Sequence, residues 1–243
     1  MFAGLTLVQL LLTTLAVVVG SVAQSTVGIG FGIVTVPVLA IFAPDLLPAI
    51  PLILVTVLSV AMTLRERTSM DLVGLPPLVV GRVLGTAAAV GLLILMTGPA
   101  LEILFGVVIL SVVLMSAMRP AIQPTTTAKF AGGAASGLFA TTAAIGGPPI
   151  AVLYQGRPGP EVRSTMGVIF AFGSVLSLIA LIPAGRLRWE HFLLAILLLV
   201  PAAVGFAIST PLARFLEGRW FRPSLLAFAA AGGVMAVIRG LSA

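Results

Sequence analysis

The sequence predicts an all-α polytopic membrane protein made of two inverted repeats, each containing one broken helix folded into a V and three transmembrane helices. Only 8% of the 243 residues are charged, whereas water-soluble domains carry roughly 25%. The apolar runs are continuous and lack the alternation expected of a membrane β-barrel. Glycine and proline interrupt one apolar run in each half, at 24–37 and 141–154. We therefore expect roughly eight to ten membrane segments in a single integrated transmembrane domain.

The first apolar stretch is too long for one membrane crossing. Residues 5–42 would extend roughly 57 Å as a helix, against a hydrocarbon core of about 30 Å. The sequence GIGFG at 28–32 interrupts this stretch and predicts that the chain turns back there. Three spans complete the first repeat, residues 1–120: 46–64, 72–96 and 100–118.

The second half repeats this order of segments. Residues 121–129 are rich in threonine and proline and are predicted to link the two repeats. The second repeat, residues 130–243, opens with another V at 130–154, which has a shorter return limb. Three predicted spans follow: 160–183, 191–208 and 224–238.

The basic residues predict how these segments are oriented. A V leaves the membrane on the side it entered, so three further crossings invert the second repeat relative to the first. Basic residues accumulate on the cytoplasmic side of a membrane. With both V segments in place, nine basic residues fall on one side (Arg65, Arg67, Arg119, Lys129, Arg157, Arg163, Arg214, Arg219 and Arg222) and three on the other (Arg186, Arg188 and Arg239). If each V were a single crossing, this bias would nearly vanish.

We expect a multi-pass protein of the cell (inner) membrane with both termini on the non-cytoplasmic side. The N-terminal segment lacks the positive charge of a cleaved signal and is expected to remain as a helix.

Composition also excludes several functions. The chain has no cysteine, which excludes disulfides, thiolate metal sites and cysteine nucleophiles, and it has a single histidine. We expect no metal, no cofactor and no enzymatic activity. The net charge of +6 comes from arginines scattered between apolar runs, so it does not predict nucleic-acid binding. The expected partners are the lipid bilayer and a small anion. Homodimerisation through small-residue helix faces is left open.

The first break offers groups that suit an anion. Inside a membrane, backbone leaves the helix only where protein or a water-filled cavity receives its polar groups, and paired breaks in two repeats point to a transporter's substrate site. Glycine lets a ligand approach the backbone, and the start of the return helix carries partial positive charge. The alternative is that these glycines only pack helices together. The predicted ligands here are Gln24, Ser25, Thr26, Gly28 and Gly30.

The second break is marked by a pair of prolines at 148 and 149. Proline fits the first turn of a helix but not its interior, so the pair predicts a helix start after two glycines. The alternative is a turn that only reverses the chain. The predicted ligands here are Thr141, Thr142, Gly146, Gly147 and Pro148.

Arg82 is the one charged residue predicted deep inside a span. Ionisable residues inside a membrane are functional-site candidates, and a guanidinium can bind two oxygens of a sulfonate, sulfate or carboxylate at once. The alternatives are a buried structural pair or a side chain that extends to the membrane interface. Gly81 and Gly85 beside it are predicted to pack helices.

Two motifs carry a resemblance to a known family. With VGIGFGIVTVPVL near the start and GLFATTAAIGGPPIAVL after the midpoint, the chain resembles the sulfite exporter TauE/SafE family of TSUP-type membrane anion transporters. The resemblance covers nearly the whole chain. It implies a transporter that exports small sulfur-containing anions such as sulfite or sulfoacetate.

The expected mechanism is alternating access, in which the anion lies between the two broken helices at mid-membrane. No carboxylate is placed as an intramembrane proton relay, which favours potential-driven export over tight proton coupling. The alternatives are an anion channel, or a carrier of another small anion such as a carboxylate.

Overall fold

The computed structural model describes residues 6–96, 98–118, 122–216 and 221–242, with backbone alone for 210–216, 221, 222, 224 and 225. Within these residues all regular structure is helical, with short 3₁₀ turns at Pro44–Leu46, Arg67–Ser69 and Val152–Tyr154. The α-helices are α1 (Leu7–Val27), α2 (Phe31–Phe42), α3 (Ala49–Arg65), α4 (Leu75–Leu95), α5 (Pro99–Met118), α6 (Thr126–Ala143), α7 (Gly147–Ala151), α8 (Gly159–Leu181), α9 (Trp189–Leu216) and α10 (Phe221–Ser242).

The predicted all-α polytopic membrane class is confirmed. Among the described residues, five helices are long and apolar enough to cross a membrane: α1, α4, α5, α8 and residues Trp189–Ser209 of α9. The outer faces of the helices carry exposed large hydrophobic side chains, such as Leu11, Val80 and Ile196. Such faces are stable in contact with lipid and not with water.

Local sequence signals set several helix starts. A capping box opens α1, where Thr6 Oγ1 accepts a hydrogen bond from the Gln9 N–H (3.3 Å) and Gln9 Oε1 accepts one from the Thr6 N–H (2.9 Å). Thr125 caps α6 by accepting the Ala128 N–H. Proline occupies the first turn of α4, α7 and α8, where its missing N–H leaves no hydrogen bond unmade.

Both predicted helix breaks are present. Gly28 and Gly30 have φ angles of 89° and 134°, which L side chains rarely adopt, and the chain reverses between α1 and α2. In the second half Ala144 ends α6 with a φ of 57°. The return limb is shorter there, as expected, because α7 has only five residues before its 3₁₀ turn.

The helix pairings of the two halves correspond. Helix α1 packs on α2 and α9, and α6 packs on α7 and α4. If helices five places apart in the chain are treated as equivalent, the α1–α2 contact corresponds to α6–α7 and the α1–α9 contact corresponds to α6–α4. The α3–α8 and α5–α10 contacts each join two equivalent helices. This correspondence supports the inverted repeat, although the inversion across the membrane stays a prediction, as do the repeat boundaries. Helix α6 begins at Thr126, within the stretch 121–129 predicted as a linker.

Glycines bring α4 and α6 into backbone contact. A Cβ on Gly81, Gly85, Gly133 or Gly137 would overlap backbone atoms of the opposite helix. The predicted packing role of Gly81 and Gly85 is therefore confirmed. This close approach places the middle of α4, which carries Arg82, directly against α6.

Basic residues lie at both ends of the helix bundle. Near the start of α4, Lys129 Nζ donates to Asp71 Oδ2 (3.0 Å), and at its end the Met96 carbonyl accepts a hydrogen bond from Arg186 (3.4 Å). These two basic residues are thus separated by the length of α4, as the V arrangement requires. Which end faces the cytoplasm stays a prediction. Arg119 and Arg219 lie outside the described residues, as do the side chains of Arg214 and Arg222.

Candidate functional site

A cavity of about 30 Å³ lies where the two helix breaks meet α4. This space holds about two water molecules. Helix α8 closes one wall with Phe170 and Ser174. Of the residues predicted as ligands, six line the cavity: Gln24, Gly30, Arg82, Gly146, Gly147 and Pro148.

The two breaks touch each other beside this cavity. A Cβ on Gly147 would come within 2.8 Å of Ile29 Cγ2, and a Cβ on Gly32 would overlap the Ala144 carbonyl oxygen. Only glycine leaves room at both positions for so close an approach. The breaks that are about 115 residues apart in sequence thus form one surface.

Arg82 is buried in this surface, with 1% of its area exposed. Its Nη1 donates to the carbonyl oxygen and Oγ of Ser136, at 2.9 and 2.6 Å. Its Nε has no hydrogen-bond partner among the described residues, and in that part of the chain it forms no ion pair. The side chain does not extend to the interface, and its protein partner is a serine and not a carboxylate.

Two glycines make room for the guanidinium. A Cβ on Gly173 of α8 would overlap Arg82 Nε and lie 2.6 Å from Cζ. A Cβ on Gly146 would lie 2.7 Å from Nη1. The positive charge is therefore held between α6, α8 and the second break. Sequence reasoning missed Ser136 and Gly173, because nothing in their local sequence distinguishes them from other small residues in apolar helices.

Gln24 presents a second buried polar group to the cavity, with 3% of its area exposed. Its Oε1 accepts the Phe31 N–H at the start of α2 (3.3 Å). Because only the oxygen can accept, this bond fixes the orientation of the amide. The Nε2 donor has no partner in the described structure. Two buried side chains at this cavity, those of Arg82 and Gln24, thus have donors without protein acceptors, an arrangement that suits an anion.

Three predicted ligands at the end of α1 do not line the cavity. The Ser25 and Thr26 carbonyls accept hydrogen bonds from Arg65 Nη2 (2.6 Å) and Arg163 Nη1 (3.2 Å). The Thr26 hydroxyl donates to carbonyls of its own helix. Gly28 packs against Arg163. The last carbonyls of a helix have no N–H partner within it, and here Arg65 and Arg163 supply the hydrogen bonds that they need.

Thr141 and Thr142 also lie away from the cavity lining. Thr141 Oγ1 is 2.7 Å from Ser177 Oγ and donates to Thr86 Oγ1 (3.2 Å), so it joins α6 to α8 and α4. Thr142 Oγ1 donates to the Leu138 carbonyl of its own helix (2.7 Å). Both hydroxyls are buried and hydrogen-bonded within the protein.

Two ionic clusters join the breaks to the loops at one end of the bundle. In the first, Arg163 Nε donates to both oxygens of Glu66 (2.8 and 3.0 Å). In the second, Asp71 accepts from Lys129 Nζ (3.0 Å) and from the Tyr154 hydroxyl (2.9 Å), which ties the second return limb to α4 and α6. Burial alone would raise the pKa of Asp71. Hydrogen bonds from Lys129, the Gly74 N–H and Tyr154 outweigh burial and hold that pKa below its ordinary value of 3.8.

No metal site is evident over the described ranges, where no three His, Asp or Glu side chains lie close enough to hold an ion.

Comparison with known protein families identifies a relationship that covers most of the chain. The family model described as "Sulfite exporter TauE/SafE" matches residues 12–236. No curated protein and no solved structure matches the chain. The matched range includes both breaks and Arg82.

Proposed function

We propose that this chain, which belongs to the sulfite exporter TauE/SafE family, exports a small sulfur-containing anion such as sulfite or sulfoacetate and binds it in the cavity between the two breaks. The proposal rests mainly on the environment of Arg82. This residue is buried and permanently charged, and its only hydrogen-bond partner in the described structure is Ser136. A buried charge without a counter-ion is strongly unfavourable. A bound oxyanion would supply that counter-ion and accept more than one N–H of the guanidinium.

Alternating access is the mechanism that this arrangement supports. The cavity lies between the two broken helices, so a movement of α1–α2 relative to α6–α7 would expose it first to one side and then to the other. An inside-negative potential favours exit of an anion by about 2.3 kcal/mol per charge per 100 mV. Among the described lining residues there is no carboxylate to relay a proton. Potential-driven export is therefore the simplest coupling.

The test is transport of radiolabelled sulfite in proteoliposomes. We expect saturable flux that is accelerated by unlabelled sulfite on the opposite side. Arg82→Ala is expected to abolish this flux, and Arg82→Lys, which keeps the charge but loses the forked donors, to reduce it about tenfold. Arg188→Ala is the matched control, because Arg188 is exposed and pairs with the exposed Glu190. Wild-type flux in a folded Arg82→Ala protein would remove Arg82 from the mechanism.

An anion channel and a carboxylate carrier are the competing functions. A channel would give single-channel currents and no acceleration by substrate on the opposite side. A carboxylate carrier would exchange acetate or a similar anion in preference to sulfite.

The protein is also proposed to lie in the cell (inner) membrane, with the end that carries the ionic clusters towards the cytoplasm and both termini on the other side. This orientation would put Arg65, Lys129 and Arg163 on the cytoplasmic side.

A further inference from the structure

The cavity contains a single formal charge. Among its described lining residues, Arg82 alone is ionisable, and Gln24 and Ser174 are neutral polar groups. The remaining lining residues are apolar or glycine. The cavity therefore carries a net charge of +1 before any solute enters.

The surroundings of Arg82 do not add a second charge. The guanidinium contacts Ser136 of α6, Gly173 of α8 and Gly146 of the second break, all of which are uncharged. The two ionic clusters described above lie outside the lining, and their basic groups are already paired: Arg163 with Glu66 and Lys129 with Asp71. A bound solute would therefore meet one cation, the Gln24 Nε2 donor and otherwise neutral walls.

We infer that this cavity selects monoanionic oxyanions over dianions of the same size. The inference rests on the proposed function. A monoanion neutralises Arg82, whereas a dianion leaves one negative charge uncompensated in a buried, weakly polar environment. The free Nε2 of Gln24 adds a hydrogen bond without adding charge. Of the two anions named in the proposed function, the inference therefore favours sulfite, bound as the hydrogensulfite ion, over sulfoacetate, which carries two charges.

The size of the cavity supports the same class of solute. With space for about two water molecules, the 30 Å³ cavity has to expand slightly even for a compact oxyanion. Ile33, Leu52 and Phe170 form apolar walls that offer no donor to a second anionic group. A compact solute with one charged end satisfies both constraints.

The test compares two solutes that differ in charge and not in size. Methanesulfonate and sulfate each have five non-hydrogen atoms, a tetrahedral sulfur and its four substituents, and at neutral pH they carry one and two charges. Binding is measured by isothermal titration calorimetry on the purified full chain, and competition is measured against sulfite flux in proteoliposomes. We expect methanesulfonate to bind at least about tenfold more tightly than sulfate.

Equal or tighter binding of sulfate would overturn the inference and leave the proposed function intact. Failure of sulfite, methanesulfonate and sulfate alike to bind or move would instead overturn the proposed function.

Two substitutions at one position change the charge of the cavity in opposite directions. Gln24→Glu keeps the oxygen that accepts the Phe31 N–H but neutralises Arg82, so methanesulfonate affinity is expected to fall at least about tenfold. Gln24→Lys adds a second cation, so the preference for methanesulfonate over sulfate is expected to shrink. Glu190→Gln changes an exposed charge away from the cavity and should leave the preference unchanged. An unchanged methanesulfonate affinity in folded Gln24→Glu protein would show that cavity charge does not govern binding.

Discussion

Arg82 on α4 donates two hydrogen bonds to Ser136 on α6, one to the carbonyl oxygen at 2.9 Å and one to the hydroxyl at 2.6 Å. The carbonyl bond depends only on the backbone, whereas the hydroxyl bond depends on the side chain. Both bonds use Nη1 and leave the rest of the guanidinium free of described partners. The serine thus positions the charge without neutralising it.

Removing the Ser136 hydroxyl should loosen this positioning. We expect Ser136→Ala to keep the carbonyl contact, to lower the free energy of unfolding by about 1 kcal/mol, and to raise the KM for sulfite several-fold. The measurements are thermal unfolding in detergent and concentration-dependent flux. Ser111→Ala is the control, because the Ser111 hydroxyl bonds only to its own helix. A KM equal to that of the wild type would mean that the hydroxyl does not position Arg82.

Filling the space beside the guanidinium should displace it. A Cβ on Gly173 would overlap Arg82, so Gly173→Ala is expected to destabilise the fold by about 1–3 kcal/mol and to suppress sulfite flux. Gly91→Ala on α4 is the matched control, because a Cβ there meets nothing within 4 Å. Its alanine should be neutral or stabilising by up to about 1 kcal/mol. Full flux in Gly173→Ala would show that the guanidinium tolerates displacement.

Asp71 should make the protein sensitive to acid. Because its pKa is lowered in the folded state, its contribution to stability is complete above the unfolded value and is lost as pH falls through the folded value. The melting temperature is therefore expected to drop between about pH 5 and pH 2, and to drop less in Asp71→Asn, which cannot titrate. Thermal unfolding of both proteins over this range tests the point. If the melting temperatures of the two proteins fell equally with pH, the acid sensitivity would come from other carboxylates.

The absence of native cysteine makes the predicted orientation directly testable. Pro158 and Pro183 are exposed residues in loops at the two ends of α8. In intact cells, an impermeant maleimide is expected to label Pro183→Cys and not Pro158→Cys. Labelling of Pro158→Cys alone would reverse the orientation.

Local signals in the sequence predicted the helix breaks. The glycines at 28 and 30 and the prolines at 148 and 149 act on the backbone where they stand, so their effect needs no knowledge of distant neighbours. The burial of Arg82 could likewise be predicted, because a charged residue at the centre of an apolar span has to face protein.

The partners of these residues could not be predicted in the same way. Arg82 and Ser136 are 54 positions apart, and Arg163 is 97 positions from Glu66. Such contacts depend on which helix faces meet, which hydropathy along one chain does not specify. The hydroxyls of Thr26 and Thr142 were predicted as ligands but bond to their own helices, a local competition that sequence alone leaves open.

The glycine-mediated contact between α4 and α6 has a consequence for motion. Backbones that interlock without intervening side chains cannot slide past each other without steric overlap. These two helices would therefore turn as one rigid body that carries the Arg82 charge with it. Because α4 belongs to the first half of the chain and α6 to the second, the hinge of any transport movement would have to lie outside this pair of helices.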